Sequence, residues 1–161
     1  MLSRVQTLTR GEIERRIPHK GAMCLLDAVS AWDGNSIACQ ASSHRAPDHP
    51  LRAHGRLGAA CGVEYAAQAM AVHGVLVAAS QDDADRLPPR AGYLASVRSV
   101  DLHVDRRDTV PGPLTVHAQR ITGDENTVLY SFNVNDGSRA LVSGRAVVVL
   151  DAAGISGKAA P

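Results

Sequence analysis

Hydrophobic and polar positions follow three regimes along the chain. From residue 92 onward they alternate with period two, as in half-buried antiparallel strands. That alternation predicts strands near 92–105, 113–122, 127–135 and 139–150, separated at "VPGP", "TGDEN" and "NDGS", turns of Gly, Pro or Asx chemistry. Residues 61–80, "CGVEYAAQAMAVHGVLVAAS", are instead almost continuously apolar and rich in alanine, as in a helix made for a core. This helix is expected to begin near Gly58. Upstream, "GAMCLLDAVSAWDGNSIACQASS" sets two apolar stretches around the turn signal "DGN", which predicts a β-hairpin over roughly 23–32 and 36–43.

A short helix opens the pattern: Thr9 and Glu12 have capping-box spacing, and Pro18 stops continuation past Ile17. "HRAPDHPLRAHGRLG" and "SQDDADRLPPR" read as loops, and "AAGISGKAAP" as a frayed tail over 151–161. There is no repeat and no inter-domain linker. One apolar helix among six strands has little polar face to offer water, so the sheet must cover it. The expected fold is α+β: one domain over 1–161, core about 10–150, with an antiparallel β-sheet wrapped around one long central helix.

The 161 residues suffice for one domain with a real core. Apolar residues make up 45% and charged residues 20%, as in an ordinary globular protein. Seventeen basic against sixteen acidic residues leave a net charge of +1, which argues against nucleic acid as a partner. Cys24, Cys39 and Cys61 form no CxxC pair, so a reduced, cytoplasmic setting is expected, with neither a disulfide framework nor a zinc site. No signal peptide is read at the N-terminus. The stretch 59–79 has membrane-spanning length, but Glu64, Gln68, His73, Gly62 and Gly74 interrupt it, so a buried helix is expected and not a span.

Glu64 is the most informative residue. A carboxylate inside an apolar helix must protonate or find partners, and an enclosed acid suits general acid chemistry. It could instead lie near the helix start and complement the dipole. Gln68, four residues on, shares its face and could orient it or satisfy the backbone of the sheet. His73 lies nearly opposite Glu64 at about 100° per residue and reads as a satisfied core histidine. Three histidines precede the helix in loops that can reach Glu64: His19 in "IPHKGAM", His49 in "PDHPLR" and His54 in "RAHGRLG". A neutral imidazole beside a protonated carboxyl would make an acid/base pair. His44, His103 and His117 are expected to be solvent-exposed, with no metal spacing. Gly58 and Gly62 bracket the helix start, where backbone N–H groups could polarise a carbonyl oxygen, or where glycine simply allows close packing. Arg15, Arg16, Lys20, Arg52 and Arg56 flank these loops as a solvated rim or a face for an acidic carrier.

These residues together resemble the hotdog-fold (3R)-hydroxyacyl-acyl-carrier-protein dehydratase superfamily. "IPHKGAMCLLDAV" is similar to its opening Pro–His segment, "GVEYAAQAM" to its central helix, and "SGRAVVVL" to its last strand. "GRLGAACGVEYAAQAMAVHG" and "PGPLTVHAQRI" resemble the dehydratase-like proteins of aryl polyene lipid gene clusters. The resemblance implies an acyl-carrier-protein-bound acyl thioester as substrate, no metal or redox cofactor, and a homodimer or a heterodimer with a second hotdog subunit. It also implies catalysis by Glu64 with His19 or His49, and beside it the helix-start reading expects substrate binding around Gly58, Gly62 and Gln68. Family dehydratases carry their catalytic His in a Gly–His–Phe–Pro loop, fourteen residues before the helix Glu. Pro50 stands there in this chain, and His49 fits with a one-residue insertion. Two other readings follow: a hotdog acyl thioesterase, or a non-catalytic hotdog subunit that supports an active dehydratase.

Overall fold

The computed structural model describes residues 7–80, 92–104, 110–124, 126–137 and 139–150. The expected loop over 80–90, past Ser80, and the expected tail lie outside them. Among the described residues the elements run β1 (Leu8–Thr9), α1 (Arg10–Glu14), β2 (Ala28–Trp32), β3 (Ser36–Ala41), α2 (Gly62–Ala79), β4 (Gly92–Leu102), β5 (Leu114–Gly123), β6 (Thr127–Asn135) and β7 (Ala140–Leu150). Seven strands form one antiparallel sheet in the order β1-β2-β3-β5-β6-β7-β4.

The period-two alternation becomes the two faces of this sheet. Strand β3 buries Ile37, Cys39 and Ala41, and β6 buries Val128, Tyr130, Phe132 and Val134, with every second residue facing outward. α2 lies against the inner face, touching β3, β5 and β6. Tyr65, Ala66, Ala69 and Val72 on it are fully buried, and the two alanines let the sheet approach closely. This is also the one described helix with the length and hydropathy of a membrane span. Half of it is buried inside the chain, which is how a core helix meets the same criterion.

The capping box of α1 is formed: the Glu12 N–H donates to Thr9 Oγ1 at 3.3 Å and the Thr9 N–H donates to Glu12 Oε2 at 3.0 Å. Two elements differ from expectation. The strand β1 was not expected; its two residues pair Leu8 with Val29 and Thr9 with Ala28, too short to register as a pattern. The first strand of the hairpin was expected near 23 and begins at Ala28. Residues 21–23 instead form a 3-10 turn, entered through Gly21 at φ +57°, and the backbone of 23–25 is bonded by side chains rather than by a neighbouring strand.

Candidate active site

The site is built where α2 begins. A 3-10 turn, Ala59–Cys61, leads into Gly62 and puts Glu64 in the first turn of the α-helix. Glu64 Oε1 lies 3.2 Å from His19 Nε2, so the loop after Pro18 delivers its imidazole onto the helix carboxylate. The Glu64 side chain is 34% exposed and that of His19 28%, so the apolar enclosure expected of the carboxylate is not complete within this chain. His19 Nδ1 is buried and meets no hydrogen-bond partner among the described residues. A buried polar atom of this sort ordinarily has a partner in folded proteins.

Gln68 holds the carboxylate from below. Its Nε2 donates to the Met23 carbonyl at 2.8 Å and to Glu64 Oε1 at 3.3 Å, while its Oε1 accepts the Leu25 N–H at 2.9 Å. The residue is fully buried and both its N–H groups are used. Gln68, expected near the substrate, is thus bonded to the Met23–Leu25 backbone and to the Glu64 carboxylate.

His49 is brought to a different place. It is 5% exposed; its Nδ1 accepts the Leu51 N–H at 3.0 Å, and its Nε2 lies 2.9 Å from Tyr65 Oη. The Leu51 bond fixes the tautomer, because an acceptor Nδ1 leaves the ring proton on Nε2. Burial pushes the His49 imidazole below its ordinary value, and the Arg52 guanidinium adds to the effect. No hydrogen bond joins His49 to Glu64, so of the two candidates His19 is the one in contact with the carboxylate.

The glycines divide as well. The Gly62 N–H is bonded to the Ala59 carbonyl within the 3-10 turn and Gly62 is buried, so it packs and offers no open donor. Gly58 precedes the turn, and a Cβ there would meet nothing within 4 Å, so the backbone is open to approach.

Among the other histidines, His73 is the satisfied core residue expected: Nδ1 meets Tyr130 Oη and Nε2 meets the Asp33 carbonyl, both at 2.8 Å. His44 is not exposed as expected but fully buried, with Nε2 on the Val110 carbonyl at 3.0 Å. Arg52, expected on a solvated rim, is bonded to the carbonyls of Ala46 and Gly55. Tyr65 and Ser43 were not singled out by sequence. The available signal for Tyr65 was its phenol inside an alanine-rich helix, since a buried hydroxyl needs a partner.

An antiparallel sheet closed over one long helix, with a His–Glu pair at that helix's start, defines a hotdog-fold protein. The resemblance seen in the opening, helical and final segments extends over most of the chain. The chain belongs to the ApeP dehydratase family, whose model matches residues 11–154. Among solved structures it is similar to the dehydratase heterocomplex ApeI:P of Xenorhabdus doucetiae, at 22% identity and a TM-score of 0.76, covering 92% of this chain and 97% of that one. A mutant thioesterase of Pseudomonas aeruginosa shares the fold at 17% identity and TM-score 0.57, covering 93% and 98% of the two chains. A thioesterase of Haemophilus influenzae does so at 14% and 0.53, covering 75% of each. No curated protein matches the chain.

Proposed function

We propose that the protein dehydrates 3-hydroxyacyl thioesters carried on an acyl carrier protein, in fatty-acid or aryl-polyene-type lipid synthesis, with Glu64 and His19 as its acid/base pair. The observation that carries this reading is the 3.2 Å contact between His19 Nε2 and a Glu64 carboxylate held by Gln68. Dehydration takes one proton from C2 and gives one to the C3 hydroxyl, which leaves as water while the C2–H electron pair becomes the C2=C3 bond. His19 takes the C2 proton and Glu64 supplies the proton for the hydroxyl. Transfer back across their contact restores the pair, so no proton is gained or lost. The N-terminal end of α2 favours the negative charge that develops on the thioester oxygen, and Gly58 leaves room for that oxygen to approach.

A second hotdog subunit fits this reading. Strand β4 pairs only with β7 among the described residues and presents eleven residues of sheet edge. Leu94, Val100 and Leu102 on it are exposed apolar side chains. A long apolar edge of this kind calls for a partner strand. The similar ApeI:P structure is a heterocomplex, which favours a second, different hotdog chain as the occupant.

Thioester hydrolysis is the competing chemistry on the same fold, supported by the two thioesterase neighbours. A 3-hydroxyacyl thioester and its 2-enoyl counterpart, incubated with the protein alone and with its hotdog partner, separate the readings. Interconversion of the two without release of thiol is expected. Thiol release without interconversion would replace dehydration by hydrolysis, and neither reaction in either sample would remove the enzymatic reading.

A further inference from the structure

The buried and partly buried hydrogen bonds around α2 form one directed chain that ends on Glu64. His49 Nε2–H donates to Tyr65 Oη at 2.9 Å, the direction fixed by the Leu51 N–H on Nδ1. The Ser43 hydroxyl donates to the Leu25 carbonyl at 2.8 Å, so it accepts from Tyr65 Oη, 2.8 Å away. On the other side of Leu25, its N–H donates to Gln68 Oε1, and Gln68 Nε2 donates to the Met23 carbonyl and to Glu64. The peptide groups of 23–25 are thus gripped at Leu25 N–H, Leu25 C=O and Met23 C=O, all by side chains. Leu25, Tyr65 and Gln68, which carry the middle of the chain, are fully buried.

We infer that His49, Tyr65 and Ser43 are positioning residues: they lock the Met23–Leu25 segment against α2 and, through Leu25 and Gln68, hold the Glu64 carboxylate against His19. Both ring nitrogens of His49 are engaged, Nδ1 by the Leu51 N–H and Nε2 by Tyr65 Oη, so it acts as a fixed donor and not as the base. The segment it locks leads straight back through the Gly21–Met23 turn to His19, so one clamp sets both members of the pair. The inference rests on the reading of Glu64 and His19 as the working pair.

The test uses the full chain, with its partner subunit where activity requires one, and 2-enoyl thioester hydration as the rate. Tyr65→Phe and Ser43→Ala each remove one oxygen from the chain, and misplacement of a reacting group should lower kcat by about 10- to 100-fold. KM should stay within about twofold, since substrate contacts are untouched. His49→Gln keeps a donor toward Tyr65 and should stay within about threefold of wild type, whereas His49→Leu should fall with Tyr65→Phe. Should His49→Leu not fold, the two single-oxygen variants and His49→Gln still decide the matter. A His49→Gln enzyme as inactive as Glu64→Gln would make His49 the base, and a Tyr65→Phe enzyme at full rate would break the chain as a positioning device. A second readout needs no turnover. The His19 ring resonances, assigned by their loss in His19→Asn, should shift in Tyr65→Phe and Ser43→Ala toward their positions in Glu64→Gln. Unmoved His19 resonances would overturn the inference, whereas an inactive wild type with shifted resonances would overturn only the dehydratase reading.

Discussion

Glu64 Oε1 meets two nitrogens of different kinds: Gln68 Nε2, which only donates, and His19 Nε2, which can change its protonation state. In the proposed reaction the first contact orients the carboxylate and the second passes the proton. The sequence marked Glu64 and narrowed its partner to a few histidines, because a carboxylate in an apolar helix is conspicuous in any composition. It could not choose among the histidines, since the decision lies in the 3-10 turn at Gly21 and in the phenol of Tyr65, which occupies His49. The buried histidines also set a pH dependence. Burial lowers both His49 and His73 from 6.5, so the unfolded chain binds more protons than the folded one as pH drops below that value. Their stabilising effect is complete above the unfolded pKa and is lost progressively on acidification toward the lowered folded values. Each contributes a slope of at most about 1.4 kcal/mol per pH unit. Thermal unfolding followed from about pH 7.5 down to about pH 5.5 should show a falling Tm, and His73→Gln should flatten that fall. A Tm that rises on acidification would contradict the neutral, buried assignment of these rings.

At the scale of elements, the strands from 92 onward and the helix were legible because period two and continuous apolarity are each several residues deep. Strand β2 was misplaced at its start for the opposite reason: Cys24, Leu25 and Leu26 are all buried, as in a strand, yet the backbone of 23–25 bonds to Gln68 and Ser43. Apolarity alone cannot distinguish a strand from a buried segment held by side chains. The neighbouring strands β6 and β7 pack closely where Phe132 pairs with Gly144. A Cβ on Gly144 would come within 2.9 Å of Phe132 Cζ and 3.2 Å of Val100 Cγ2. Gly144→Ala must displace the chain's one phenylalanine and should cost about 1–3 kcal/mol, seen as a lower urea midpoint with the m-value unchanged. A midpoint equal to wild type would mean that the ring moves aside freely.

For the whole molecule, the side of β4 left unpaired among the described residues and the incomplete enclosure of Glu64 lead to the same expectation, that the site is finished by a second subunit. Composition and periodicity carry no trace of this, because an edge strand and a central strand alternate alike until the partner's identity is known. Leu94→Asp with Leu102→Asp puts charge on the exposed edge and should convert the assembly to monomer in light scattering, leaving the far-UV circular dichroism unchanged. An assembly that survives both substitutions would place the interface elsewhere. The central claim remains that Glu64 works as a proton donor and acceptor on an acyl thioester. The most direct measurement is the rate of water addition to a 2-enoyl thioester by wild type and by Glu64→Gln, which keeps the shape and the Gln68 contact but cannot shuttle a proton. The account predicts a loss of about 10²- to 10⁴-fold in the variant, and equal rates would contradict it.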